Sequence, residues 1–158
     1  MNFDFRTVLG TKVEDIKRPP LIPVGTYRAR VNKPVSFDET QSGSYKMMDF
    51  SMQLVEPQLD VSAEDLENYG GLGPTAVLRN RFMFNTEDST EAKASNDRAV
   101  FRMKQFLSDH LKVSGEDLNE LAANALNHEC LVVVKWRADK NDPEIQYNEI
   151  AKTLALPE

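Results

Sequence analysis

The sequence predicts a mainly β fold with helices, an α+β domain built on five strands. Two observations predict it. Runs that alternate apolar with polar residues recur at 26–31, 45–55, 77–85, 130–137 and 145–152, and period-two alternation marks strands with one buried and one wet face. The segments with helical spacing fall together, between the third and fourth of those runs. Hydrophobic residues make up 41% of the 158 positions, enough to fill one core.

Residues 1–20 read as an arm. Phe3, Phe5, Val8 and Leu9 give it apolar residues able to pack on the domain, and Lys17-Arg18-Pro19-Pro20 reads as an extended linker, because proline restricts the residue before it. The domain proper is expected over 21–156. Its first unit lies between prolines, Leu21 to Pro57, as a long hairpin. Tyr27, Ala29 and Val31 alternate with Thr26, Arg28 and Arg30; Met48, Phe50, Met52 and Leu54 alternate with Asp49, Ser51 and Gln53. Met47 falls on the wet side. Gln41-Ser42-Gly43-Ser44 supplies the turn.

Residues 57–76 read as an insertion with four acids and no base. Ser62 with Asp65 three residues on marks a helix start, and Gly70, Gly71, Gly73 and Pro74 stop it. Such an acidic segment is expected to lie outside the sheet and to add little to binding an anion. The third strand, 77–85, turns Leu78, Phe82 and Phe84 one way and Arg79, Arg81 and Met83 the other. Residues 86–97 are polar and acidic, and read as a loop. A helix is expected over 97–112, with Val100, Met103, Phe106, Leu107 and Leu111 on its buried face. Ser114 and Asp117 cap a second helix with Leu118, Leu121, Ala122, Ala125 and Leu126 as its stripe. Strand 130–137, a turn over Asp139–Pro143, and strand 145–152 complete the chain. The order β-β-β-α-α-β-β is that of an OB-fold-like Greek-key barrel of five strands, the helices between strands three and four. Other small α+β folds permit the same string.

Charge narrows the partners. The net charge is −6, yet the five predicted strands hold eight Lys or Arg against two acids. A basic sheet in an acidic shell fits a localised polyanion site; the alternative is that the charges guard strand faces against aggregation. One cysteine, Cys130, rules out an intramolecular disulfide and fits a reducing compartment. The N-terminal residues carry no basic-then-apolar leader, and no apolar run approaches the roughly 20 residues of a membrane helix.

The basic residues come in pairs. Arg28/Arg30, Arg79/Arg81 and Lys135/Arg137 each stand at i, i+2, hence on one face of a strand whose other face is apolar. Three such pairs can track a phosphate backbone, or simply decorate a solvent face. Single-strand binders also stack bases on exposed rings. Tyr45, next to Lys46, has outward parity; Phe37 falls in the loop joining the first two strands; Tyr147 lies in the last. Trp136, Phe50, Phe82, Phe84 and Phe106 read as core.

Catalytic signals are lacking. No phosphate-cradling Gly-rich loop, nucleophile elbow or paired-histidine motif is present. Asp38, Glu39 and Asp49 sit where any hairpin carries acids. His128-Glu129-Cys130 with His110 falls short of a four-ligand zinc set. The chain therefore reads as a binding protein without catalytic residues, metal or cofactor.

Several short stretches carry a resemblance. Ile22-Pro23-Val24-Gly25-Thr26-Tyr27 opens the first strand, Ser44-Tyr45-Lys46 the second, and Phe82-Met83-Phe84-Asn85 lies in the third; Gln105-Phe106-Leu107 and Tyr147-Asn148-Glu149-Ile150 follow. In that order, over about residues 20–152, the chain resembles a group of small bacteriophage proteins encoded among replication and recombination genes, the DUF669-like group. The resemblance implies an OB-fold protein that binds single-stranded DNA with little sequence specificity, in the cytoplasm of the infected host cell. Phage replication or recombination proteins are then natural partners, a membrane is not, and a homodimer is left open. The rival expectation is a protein-interaction module, or a DNA mimic, that docks on a replication, recombination or host factor through its acidic surface.

Overall fold

The structure, a computed structural model, describes residues 4–16 and 20–157. Phe3 of the arm and the linker residues Lys17-Arg18-Pro19 lie outside the described residues. Helix α1 (Phe5–Leu9) is capped by Asp4, whose carboxylate accepts from Arg6 N at 2.9 Å. Its Phe5, Val8 and Leu9, read as able to pack on the domain, are exposed. Five residues make too short a helix to bury a face by themselves.

The described residues form an α+β fold around one antiparallel sheet. Its strands are β1 (Gly25–Val31), β2 (Ser36–Glu39), β3 (Tyr45–Pro57), β4 (Val77–Asn85), β5 (Glu129–Ala138) and β6 (Gln146–Leu154). The hairpin at Leu21–Pro57 is present, with its turn held by Gly43 N donating to Thr40 O at 2.9 Å. The expected five strands are six, because Ser36–Glu39, expected as loop, pairs with Lys46–Asp49. The sheet order is β2-β3-β1-β5-β6, with β4 also on β3. β4 occupies one edge of β3 along Tyr45–Gln53, so β2 and β1 follow each other along the opposite edge. Among the described residues no ladder joins β4 to β6, so the sheet is not closed into a barrel.

The core lies on one face of the sheet. Tyr27, Ala29, Val31, Phe50, Met52, Leu54, Val132 and Val134 are buried as the alternation demands. Arg79 and Arg81 point outward, as predicted. Phe50, Phe82 and Phe106 form an aromatic centre with ring centroids 5.2–5.9 Å apart, geometry that adds to simple area burial. Cys130 stands opposite Ala29, wholly buried, and burial pushes its thiol up to about 12.

The helices follow the third long strand as expected, but earlier. Helix α3 (Thr90–Lys104) starts inside the stretch read as a loop, with Ser89 accepting from Ala92 N at 3.1 Å. The side chain of Asn96 ties it to β4, donating to Asn85 O at 2.9 Å and accepting from Asn85 N at 2.8 Å. The inward positions are Ala92, Ala99 and Met103, so Val100 is turned partly outward, 40% exposed. The helix continues as a π-helical turn, Gln105–His110, that buries Phe106 and Leu107. Helix α4 (Leu118–Ala123) is capped by Asp117; Leu121, Ala122 and Ala125 are buried and Leu126 is exposed.

The insertion holds helix α2 (Ala63–Tyr69), capped by Ser62 and ended by a left-handed Gly70. It is stitched to the sheet. Asp60 accepts from Thr26 N (2.9 Å) and Thr26 Oγ1 (2.8 Å), and Leu54 N donates to Ala76 O at 2.9 Å. Gly25, at φ +140°, lets Val61 close in: a Cβ there would lie 2.6 Å from Val61 Cγ2.

Candidate nucleic-acid interface

The outer face of β3 and β4 is set by register. Tyr45 stands opposite Asn85, Met47 opposite Met83, Asp49 opposite Arg81 and Ser51 opposite Arg79. Opposed residues of an antiparallel pair share a face. Tyr45, Arg79, Arg81 and Met83 therefore share one surface, with Tyr45 38% exposed. Met47 and Asp49, expected to be wet, are buried on that face. At their level β3 is flanked by β2 and β4 together, and its neighbours' side chains cover it.

Phe37 and Lys46 do not join this surface. Phe37 opposes Met48, and Lys46 opposes Glu39 and Phe84. Both therefore belong to the core-side parity of the sheet. Phe37 is 72% exposed and borders an apolar groove with Val35, Met48, Met103, Leu118 and Ala122. The predicted constellation thus splits between two faces.

The pairs that share parity are also unequal in charge. Arg28 Nη1 donates to both oxygens of Glu129 at 3.0 Å, and its Nη2 to Glu56 Oε2 at 3.0 Å. Those bonds, to Glu56 first and then to Glu129, raise its pKa further. Arg30 also pairs with Glu129, at 3.0 Å. Two cations thus face two carboxylates, and this part of the sheet is near neutral. Arg79 and Arg81 share Asp49, leaving one charge uncompensated. Arg137 meets Glu149 at 3.6 Å. Lys135, on the same face and opposite Glu149, is exposed.

A groove runs where β4 and β6 approach without pairing. One part, a cleft of about 630 Å³, is lined by Arg79, Arg81, Met83, Arg102, Arg137 and Glu149, together with Asn80 and Asn148. It continues past Arg81 and Arg102 to His110, Lys152 and Thr153. His110 Nδ1 lies 2.7 Å from Thr153 Oγ1, and burial lowers the histidine's pKa. Five cations (Arg79, Arg81, Arg102, Arg137 and Lys152) are drawn to this groove from strands and helix, with Glu149 in its lining and Asp49 behind it. Arg102 and Lys152 have no carboxylate partner among the described residues. Neither belongs to an i, i+2 basic pair on a strand, which was the signal that marked the other cations.

The aromatic candidates diverge in the same way. Tyr147 stands opposite Arg137, half exposed, and its hydroxyl donates to Asp139 Oδ2 at 3.1 Å. Trp136, expected in the core, is 47% exposed because β5 outruns β1, whose last partner on it is Val134. Its Nε1 donates to Ile22 O at 2.7 Å, beside Asn148, which bonds both the N–H and the C=O of Ile22.

No family model matches the chain, and no curated protein matches it.

Proposed function

We propose that this chain binds single-stranded DNA with little sequence specificity, along the β4–β6 groove and the adjoining outer face of β3 and β4. The observation that carries the reading is the groove itself: five cations against two carboxylates, in a chain whose net charge is −6. Backbone phosphates would meet Arg79, Arg81, Arg102, Arg137 and Lys152. Bases would stack on the partly exposed rings of Tyr45 and Tyr147. A positive groove with aromatic platforms is the common solution for single strands.

The strand order supports the finer fold. Counted by position, β1 and β2 are one interrupted strand on the edge of β3, which gives five places in the order β4-β3-β1/β2-β5-β6. We read this as an OB-like barrel left open at the β4–β6 seam. In that fold the second and third strands make the oligonucleotide face, and here those are β3 and β4. The phage replication or recombination setting rests on the resemblance of short motifs described above.

A second reading has its own observation. The neutralised Arg28/Arg30 face and the exposed Phe37 beside an apolar groove suit a protein partner. The chain would then be an interaction module or DNA mimic on a replication, recombination or host factor. Fluorescence polarisation with labelled oligonucleotides at two salt concentrations separates the two. Salt-sensitive binding of single strands is expected; no binding even at low salt overturns the DNA reading.

A further inference from the structure

Asp49 is the one buried charged residue among the described residues, 5% exposed, and it lies in the middle of the proposed DNA face. A carboxylate there is at first sight a liability, since it repels phosphate. Its geometry gives it another role. Oδ1 accepts from Arg81 Nε at 2.7 Å and Oδ2 from Arg81 Nη2 at 2.9 Å. This is a two-bond carboxylate–guanidinium pair, the arrangement that fixes orientation as well as binding. The same bond raises the pKa of Arg81.

The pair occupies only the side edge of the guanidinium. The end edge, made of Nη1 and the second Nη2 proton, carries no hydrogen bond among the described residues. Arg81 is about one-third exposed and lines both parts of the groove. A planar fork held by a buried partner surrenders little rotamer freedom when it binds.

We propose that Asp49 is a positioning residue: it holds Arg81 so that the free edge of the guanidinium offers a two-donor fork to the groove. The fork fits two adjacent acceptors, either two oxygens of one phosphate or O6 and N7 of a guanine. The proposal rests on the single-stranded DNA reading.

The test uses Asp49→Asn and Arg81→Lys in the full chain. Polarisation is measured with oligothymidylate of about 15 nucleotides and with the same length bearing interspersed guanines. If Asp49 were only a repelling charge, Asp49→Asn would tighten binding. The proposal expects the opposite, a loss of about 5- to 150-fold for a broken two-point contact. Arg81→Lys keeps the charge but has no fork, and a loss of the same order is expected. Equal losses on both oligonucleotides assign the fork to phosphate; a loss confined to the guanine-bearing strand assigns it to the base edge. Thermal melting checks that each variant folds. If Asp49→Asn does not, Arg81→Lys decides alone. Binding by folded Asp49→Asn as tight as wild type or tighter, or by Arg81→Lys equal to wild type, overturns the proposal. Failure of the DNA reading is seen separately, as a wild-type chain that binds neither oligonucleotide at low salt, and it takes this proposal with it.

Discussion

If the groove binds single-stranded DNA as proposed, Arg28→Ala with Arg30→Ala should leave the affinity nearly unchanged, whereas Arg102→Ala with Lys152→Ala should weaken it and flatten its salt dependence. The first pair is matched by Glu56 and Glu129 at 3.0 Å, so few phosphate-bound counterions would be released by it. The second pair has no carboxylate partner among the described residues. The groove's five cations less Asp49 and Glu149 leave three uncompensated charges. At about 0.7 per phosphate on a single strand, log affinity should fall against log salt with a slope near −2, and near −0.7 after Arg102 and Lys152 are removed. Between about 50 and 200 mM salt, that is a roughly 20-fold loss of affinity for the wild type against about threefold for the double variant. Polarisation titrations at four or so salt concentrations within that window read both slopes. If the Arg28/Arg30 variant flattens the slope as much as the Arg102/Lys152 variant, intramolecular pairing does not neutralise these arginines. The β1–β5 face would then belong to the site.

Tyr45→Ala should lower affinity by about 1–3 kcal/mol with the salt slope unchanged, since stacking releases no counterions; a changed slope would place Tyr45 in a charge network. Phe50→Ala, which empties the centre of the Phe50–Phe82–Phe106 cluster, should cost about 3–5 kcal/mol in urea unfolding, and a loss under about 1 kcal/mol would mean that the cluster collapses to fill the gap. Gly25→Ala forces a side chain onto Val61 at φ +140° and should cost about 1–3 kcal/mol, read by the same melts. His110 is held below its ordinary pKa by burial. Its folded form resists protonation, so the unfolded chain takes up the proton first. Stability from this group is complete above about pH 6.5 and declines as pH falls through that value toward the folded pKa. His110→Gln should flatten the decline, and an unchanged pH profile would assign it to other groups.

The strands were legible because their alternation is strict: β4 was read to the residue, and the inward sets of β1 and β5 were read correctly as far as Val134. Charge pairing was not, and the reason is local. The expected strands stopped at 55 and began at 130, one residue short of Glu56 and Glu129. Those two acids become cross-strand neighbours of Arg28 and Arg30 only once the ladders extend to Pro57 and Glu129. A single sequence shows which face a residue takes but not what the neighbouring strand places beside it. Helix α3 was read late because its first two turns are polar and contribute only Ala92 to the core. The seam between β4 and β6, where Arg102 joins strands far away in sequence, has no local signature.

Cys130 has a consequence for experiment. It is the chain's one thiol, near the start of β5 and opposite Ala29 of β1, and in the folded state it is neither exposed nor ionised. Thiol reagents attack the thiolate, so modification in native buffer must wait for that part of the sheet to open. The labelling rate therefore clocks openings of the core without any engineered probe. A ligand that grips only the folded sheet makes those openings rarer in proportion to its saturation. The unmodified chain can report its own occupancy through how slowly a disulfide reagent reaches it.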